Sequence, residues 1–118
     1  MHDSNIHVAS HLVSRKQFEA REKETKVTLL GTMISDFEKM IADLNGQIAA
    51  EEDRTRIKDT GHPAYSTFAT AAAKRRQNLL ISLAHTKSML NVAKRELDEI
   101  RAHSCSISNR SGTTNHHS

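Results

Sequence analysis

The chain has 118 residues, 36% of them apolar and 3% aromatic, which is material for one domain and too little for a large globular core. Charged residues reach 26% and no period-two alternation appears, so long helices are favoured over sheet. The longest apolar runs, such as Leu79-Leu80-Ile81, fall far short of the roughly 20 residues of a membrane-spanning helix.

The net charge of +3 hides an asymmetry. Residues 1–60 carry nine Lys/Arg against eleven Asp/Glu, or −2, and residues 61–118 carry eight against three, or +5. Side by side, arms of opposite sign attract, each exposed pair adding only a few tenths of a kcal/mol.

In chain order, residues 1–9 read as a flexible N-terminus. They have neither a basic lead nor an apolar stretch, so no secretory signal is visible and the cytoplasm is the expected location. Residues 10–58 are predicted to form a first coiled-coil helix, with Ser10 or Ser14 as candidate caps. Its apolar series runs Ala20, Lys23, Val27, Leu30, Ile34, Phe37, Ile41, Leu44, Ile48, alternating steps of three and four for about four heptads.

Gly46 interrupts that helix at an exposed position, costing up to about 1 kcal/mol relative to Ala. Residues 59–63, Asp-Thr-Gly-His-Pro, concentrate turn chemistry: Gly61 suits a left-handed helix end, and Pro63, the only proline, suits a first helical turn.

Residues 64–103 are the second coiled-coil helix, with the series Tyr65, Ala69, Ala72, Arg76, Leu79, Leu83, Thr86, Leu90, Ala93, Leu97, Ile100. Residues 104–118, rich in Ser, Asn, Thr and His without periodicity, read as a disordered C-terminal tail. The predicted fold class is all-α, a long two-helix antiparallel coiled-coil hairpin.

In such a hairpin the numbers of facing seam residues have a constant sum, and the heptad phases allow 127 or 120. The sum of 127 is preferred. It sets Ile48 opposite Leu79, Leu44 opposite Leu83 and Glu51 opposite Arg76, whereas 120 places Lys23 on Leu97. Several apolar residues lie off the seam: Leu29, Met33 and Met40 on the first helix, Phe68, Leu80, Met89 and Val92 on the second. They either widen the seam or form a face for another helix.

Catalytic and ligand-binding chemistry is not expected. His7 and His11 stand at i, i+4, but no second pair at ligand spacing falls on a predicted helix, so no metal and no cofactor are predicted. Cys105 is the single cysteine, which excludes an internal disulfide. Glu51-Glu52-Asp53 point in different directions from one helix. No Gly-x-Ser-x-Gly motif or phosphate-binding glycine loop occurs. Lys74-Arg75-Arg76 could grip an acidic face, yet a nucleic-acid footprint would need stacking aromatics or a recognition module.

Two stretches resemble the flagellar export protein FliJ family, in particular its alphaproteobacterial branch. The first is Ile34-Ser35-Asp36-Phe37-Glu38-Lys39-Met40-Ile41-Ala42-Asp43-Leu44 with Ile48 and Glu51-Glu52-Asp53-Arg54. The second is His62-Pro63-Ala64-Tyr65 with Phe68-Ala69, Ala71-Ala72, Arg75-Arg76, Asn78 and Leu79. The resemblance covers roughly residues 10–100, and its most specific part is the turn with Arg-Arg-x-Asn-Leu.

It implies a non-enzymatic stalk-like component of the bacterial flagellar type III protein export apparatus. Such a protein would be cytoplasmic and held at the inner face of the cell membrane only through its partners. Those partners would be the hexameric flagellar export ATPase, the cytoplasmic domain of the export gate, and export chaperones, with the chain a monomeric hairpin.

On that reading Arg15, Lys16, Arg21, Lys94, Arg95 and Arg101 would face the ATPase ring, and Tyr65, Phe68 and Arg75 the gate. The chain departs from the family after His103, where charged helical sequence gives way to the polar tail. Two other readings are a coiled-coil scaffold or chaperone that self-associates through its off-seam Met and Leu residues, and a weak nucleic-acid binder.

Overall fold

The computed structural model describes residues 2–116, and the side chains of residues 10–106. Two long helices pack against each other as a hairpin: α1 spans His2–Thr55 and α2 spans Thr67–His116. Among the described residues there is no strand. Among the described residues no helix is long and apolar enough to cross a membrane.

The helices extend further than the sequence suggests at both chain ends. Residues 2–9 belong to α1 where a flexible segment is expected, and α2 continues from residue 104 to His116 where a disordered tail is expected. Ser, Asn and Thr each disfavour helix by no more than about 0.7 kcal/mol relative to Ala, and no proline follows Pro63, so nothing sharply stops the backbone. Residues 117–118 of the expected tail lie outside the described residues.

The connection is longer than the expected 59–63 and occupies residues 56–66. Arg56, not Gly61, takes the left-handed conformation after α1, with φ 64°, and no described glycine has positive φ. Its N–H still reaches the Glu52 carbonyl at 2.8 Å, so α1 closes through a strained non-glycine residue.

Two turns follow. The His62 N–H bonds the Asp59 carbonyl at 3.0 Å while the Asp59 carboxylate accepts the Gly61 N–H at 2.9 Å. Next, the Tyr65 N–H bonds the His62 carbonyl at 3.0 Å, which puts Pro63 at the second position of a turn, where its fixed φ fits. Pro63 therefore precedes α2 instead of opening it. Ser66 is the cap: its hydroxyl accepts the Ala69 N–H at 3.1 Å, satisfying one of the otherwise open donors of the first turn.

The chain divides into two compact units, a turn half of Leu30–Met89 and a terminal half of Met1–Leu29 with Leu90–Ser118. In the turn half the core cluster is Leu44, Ile48, Ala69 and Ala72, with Tyr65, Ala73 and Leu79 packed against it. Ala69 is wholly buried, and the small alanine side chains let the helices approach closely beside the connection. In the terminal half Ala93 and Leu97 are buried.

Cross-helix contacts correct the preferred register. Arg76 donates to the side-chain amide oxygen of Asn45, Oδ1, at 2.8 Å, numbers that add to 121, and not to Glu51. Glu51 accepts from Ser66 at 2.9 Å and Glu52 from the Tyr65 hydroxyl at 2.8 Å, both adding to 117. In the terminal half Lys23 meets Glu96 at 3.1 Å, adding to 119. These four contacts lie nearer the sum of 120 than 127, allowing for the reach of the side chains, while the exposed pair Arg101 to Glu24, which adds to 125, lies nearer 127.

The objection to that register was a lysine against Leu97, and the lysine removes it by snorkelling. The Lys23 side chain stays 27% exposed while its ammonium reaches Glu96, so its stem covers apolar surface and its charge stays solvated. Arg76 treats its seam position in the same way.

Candidate protein-binding surface

The described surface has open hollows, and the one of most interest lies on the turn half. Met40, Asp43, Leu44 and Gln47 from α1 and Arg75 from α2 line a trough of about 140 Å³. Residues seven apart share a stripe on a coiled-coil helix. Met33, Met40 and Gln47 form such a stripe on α1, and Phe68, Arg75, Ser82 and Met89 form one on α2. Because Arg75 shares a trough with Met40 and Gln47, the two stripes lie on the same side of the hairpin.

Met33, Met40, Phe68 and Met89 are all exposed, Phe68 by 54%. Each exposed residue of this kind is ordinary alone; as paired stripes they make a face for another helix.

The charge on this unit is segregated by helix. Residues 30–55 of α1 carry six Asp/Glu and two Lys/Arg, while residues 67–89 of α2 carry four Lys/Arg and no Asp or Glu. Among the described residues none of Asp43, Lys74, Arg75 and Lys87 enters an ion pair. The opposite charges of the two helices are thus largely left facing outward.

At the connection the acidic residues are used internally. Glu51 receives Arg54 at 2.6 Å and Ser66 at 2.9 Å. The Arg54 hydrogen bond, then that of Ser66, holds the Glu51 carboxyl below its ordinary range and correspondingly raises Arg54. The hydrogen bond to Glu52 pushes the Tyr65 phenol above its ordinary value, with desolvation adding in the same direction. These contacts tie residues 65 and 66 to the end of α1 and so fix where Phe68 emerges.

The nine residues singled out from the sequence fall into two groups. In the turn half, Phe68 and Arg75 are exposed on the face just described, whereas Tyr65 is half-buried and engaged by Glu52. In the terminal half, Arg15 is exposed in a hollow with Ser14, Phe18, Glu19 and Glu22. There Lys16 contacts Glu19 at 3.3 Å and Arg101 contacts Glu24 at 2.8 Å, while Arg21, Lys94 and Arg95 are exposed.

Sequence reasoning missed Asp43 and Gln47 beside Arg75, and the 59% exposed Phe18 beside Arg15. Heptad phase could have found the first pair, since residues 40, 43 and 47 share a helix face. Among the described residues no three His, Cys, Asp or Glu side chains gather in an arrangement able to hold a metal ion. The arrangement can offer apolar contact, one guanidinium and one carboxylate to another macromolecule.

No protein-family model, no curated protein and no solved structure matches this chain.

Proposed function

We propose that the chain is a non-enzymatic helical hairpin that works by binding other proteins, and that it serves as a stalk-like component of the flagellar type III export apparatus. The observation that carries the binding role is the paired apolar stripe of the turn half, with Phe68 and Met40 exposed around Arg75. A monomer gains nothing from leaving such side chains in water, and a partner helix or ring lining gains by covering them. Support for the export setting comes from the sequence stretches around Phe37 and His62-Pro63-Ala64-Tyr65 that resemble the FliJ family.

In that setting the chain is cytoplasmic and reaches the inner face of the cell membrane only through its partners. The turn half, through Phe68 and Arg75, engages the cytoplasmic domain of the export gate. The exposed cations Arg15, Arg21, Lys94 and Arg95 of the terminal half engage the hexameric export ATPase, and export chaperones are escorted between the two. Lys16 and Arg101 contribute less, since each already holds an acidic partner of its own chain.

The test is a pull-down of the purified chain against the export ATPase and the gate cytoplasmic domain of its source organism, paired with an ATPase assay. Co-purification with the hexamer and faster turnover are expected, with Phe68→Ala weakening gate binding. Recovery of neither partner, with turnover unchanged, rejects the export role.

A further inference from the structure

We infer that the apolar face of the turn half is self-complementary and pairs with a second copy of this chain, giving a four-helix dimer in which α1 of each copy lies on α2 of the other. The inference goes beyond the export role and does not depend on it. It rests on the charge arrangement within the single unit Leu30–Met89.

One face carries two stripes of different sign. Met33 and Met40 on α1 are accompanied by Asp43, and Phe68 and Met89 on α2 are accompanied by Arg75. A two-fold axis parallel to the helices, placed over the middle of this face, carries α1 of one copy over α2 of the other. In the register of 120, Asp43 then comes level with residue 77, between Arg75 and Asn78 of the second copy, and the reciprocal contact forms at the other side.

The same operation lays the Met33 and Met40 stripe over the α2 stripe of the second copy. Neighbouring helices run antiparallel throughout, as in the commonest bundles. A second copy is favoured over an unrelated helix because this face supplies both halves of its own complement. The excess acid on α1 and the acid-free stretch 67–89 on α2 leave Asp43 and Arg75 without an ion pair in the single chain. Stacking α1 on α1 would instead place like charges together, which disfavours that alternative. The monomeric hairpin expected from the sequence is then the form found when another partner covers the face.

The experiment uses the full chain at low ionic strength. Sedimentation equilibrium should show a concentration-dependent rise from 13.2 kDa to twice that mass. Asp43→Arg and Arg75→Asp, each alone, should weaken the dimer by about tenfold or more, since both symmetric contacts become like-charged. Mixing the two variants should restore a mixed dimer, because the charges oppose again in both contacts. Far-ultraviolet circular dichroism of each variant checks that the helices persist.

Restoration by mixing cannot arise from a fault in folding, since neither chain regains its own missing charge. A wild-type chain that stays at the monomer mass over the accessible concentration range overturns the inference. So does a dimer that both variants leave intact, or one that the mixture fails to restore.

Discussion

The two halves of this chain are built from the same pair of helices and held together differently. In the turn half, Leu44, Ile48, Ala69 and Ala72 form a buried cluster, closed by the Ser66 cap and the contacts of Glu51 and Glu52. In the terminal half the buried residues among the described side chains are Ala93 and Leu97, and the described cross-helix contacts are the ion pairs Lys23 to Glu96 and Arg101 to Glu24, both partly solvated. Buried apolar surface is insensitive to salt, whereas exposed ion pairs are weak and screened. Pairing near the turn should therefore persist under conditions that loosen the ends.

The largest expected effect lies in the cluster. Ile48→Ala removes most of a buried side chain from a thin seam and should cost about 2–3 kcal/mol, read by urea unfolding, with hydrogen exchange rising through residues 30–89. An equal rise confined to the terminal half would break the comparison.

Strain at the end of α1 gives a change of opposite sign. Arg56 sits at φ 64°, where a side chain costs about 1–2 kcal/mol. Arg56→Gly should recover roughly 1 kcal/mol of this, the added freedom of the unfolded glycine offsetting the rest.

In the terminal half, Glu24→Gln removes one exposed ion pair and should cost a few tenths of a kcal/mol. Amide exchange near Arg101 should quicken at low salt, and the difference from wild type should vanish near 1 M salt. A salt-independent effect of the same size would mean that Glu24 acts through packing.

The smallest effect is also the most local. Tyr65 is the only tyrosine and there is no tryptophan, so its ultraviolet absorbance reports one phenol. Its folded value is raised by Glu52, so the contact stabilises fully below the ordinary tyrosine range and is lost as pH rises through the raised value. Glu52→Gln should bring the titration back toward the ordinary value. Glu51 has the opposite sign: its folded value is lowered, so its contribution holds above the ordinary glutamate range and is lost as pH falls through the lowered value.

Much of the hairpin was legible in the chain, because steps of three and four from Val27 to Ile48 and from Ala69 to Leu97 admit few other packings. What misled was punctuation. Gly61 and Pro63 look like the centre of a tight turn, and a sum of 127 centres the seam between Pro63 and Ala64. The cap at Ser66 and the strained Arg56 bound a longer connection, whose middle lies near the centre required by 120.

The misplaced turn and the misjudged register were thus one error. The turn signals of single residues could not reveal that Lys23 and Arg76 would send their charges out of the seam. Phe68 and Arg75 were legible as surface residues, and heptad phase already places Asp43 and Gln47 on the side of α1 that flanks them; the register adds only which residues lie level with Arg75.

The shared face of α1 and α2 depends on that register, and disulfide trapping tests it most directly. In a Cys105→Ser background, Leu44→Cys with Arg76→Cys, which face each other in the register of 120, should close a disulfide within a monomer under mild oxidation, and Leu44→Cys with Leu83→Cys should close far more slowly. Rapid closure between positions 44 and 83, with none between 44 and 76, would contradict the register and with it the face built around Asp43 and Arg75.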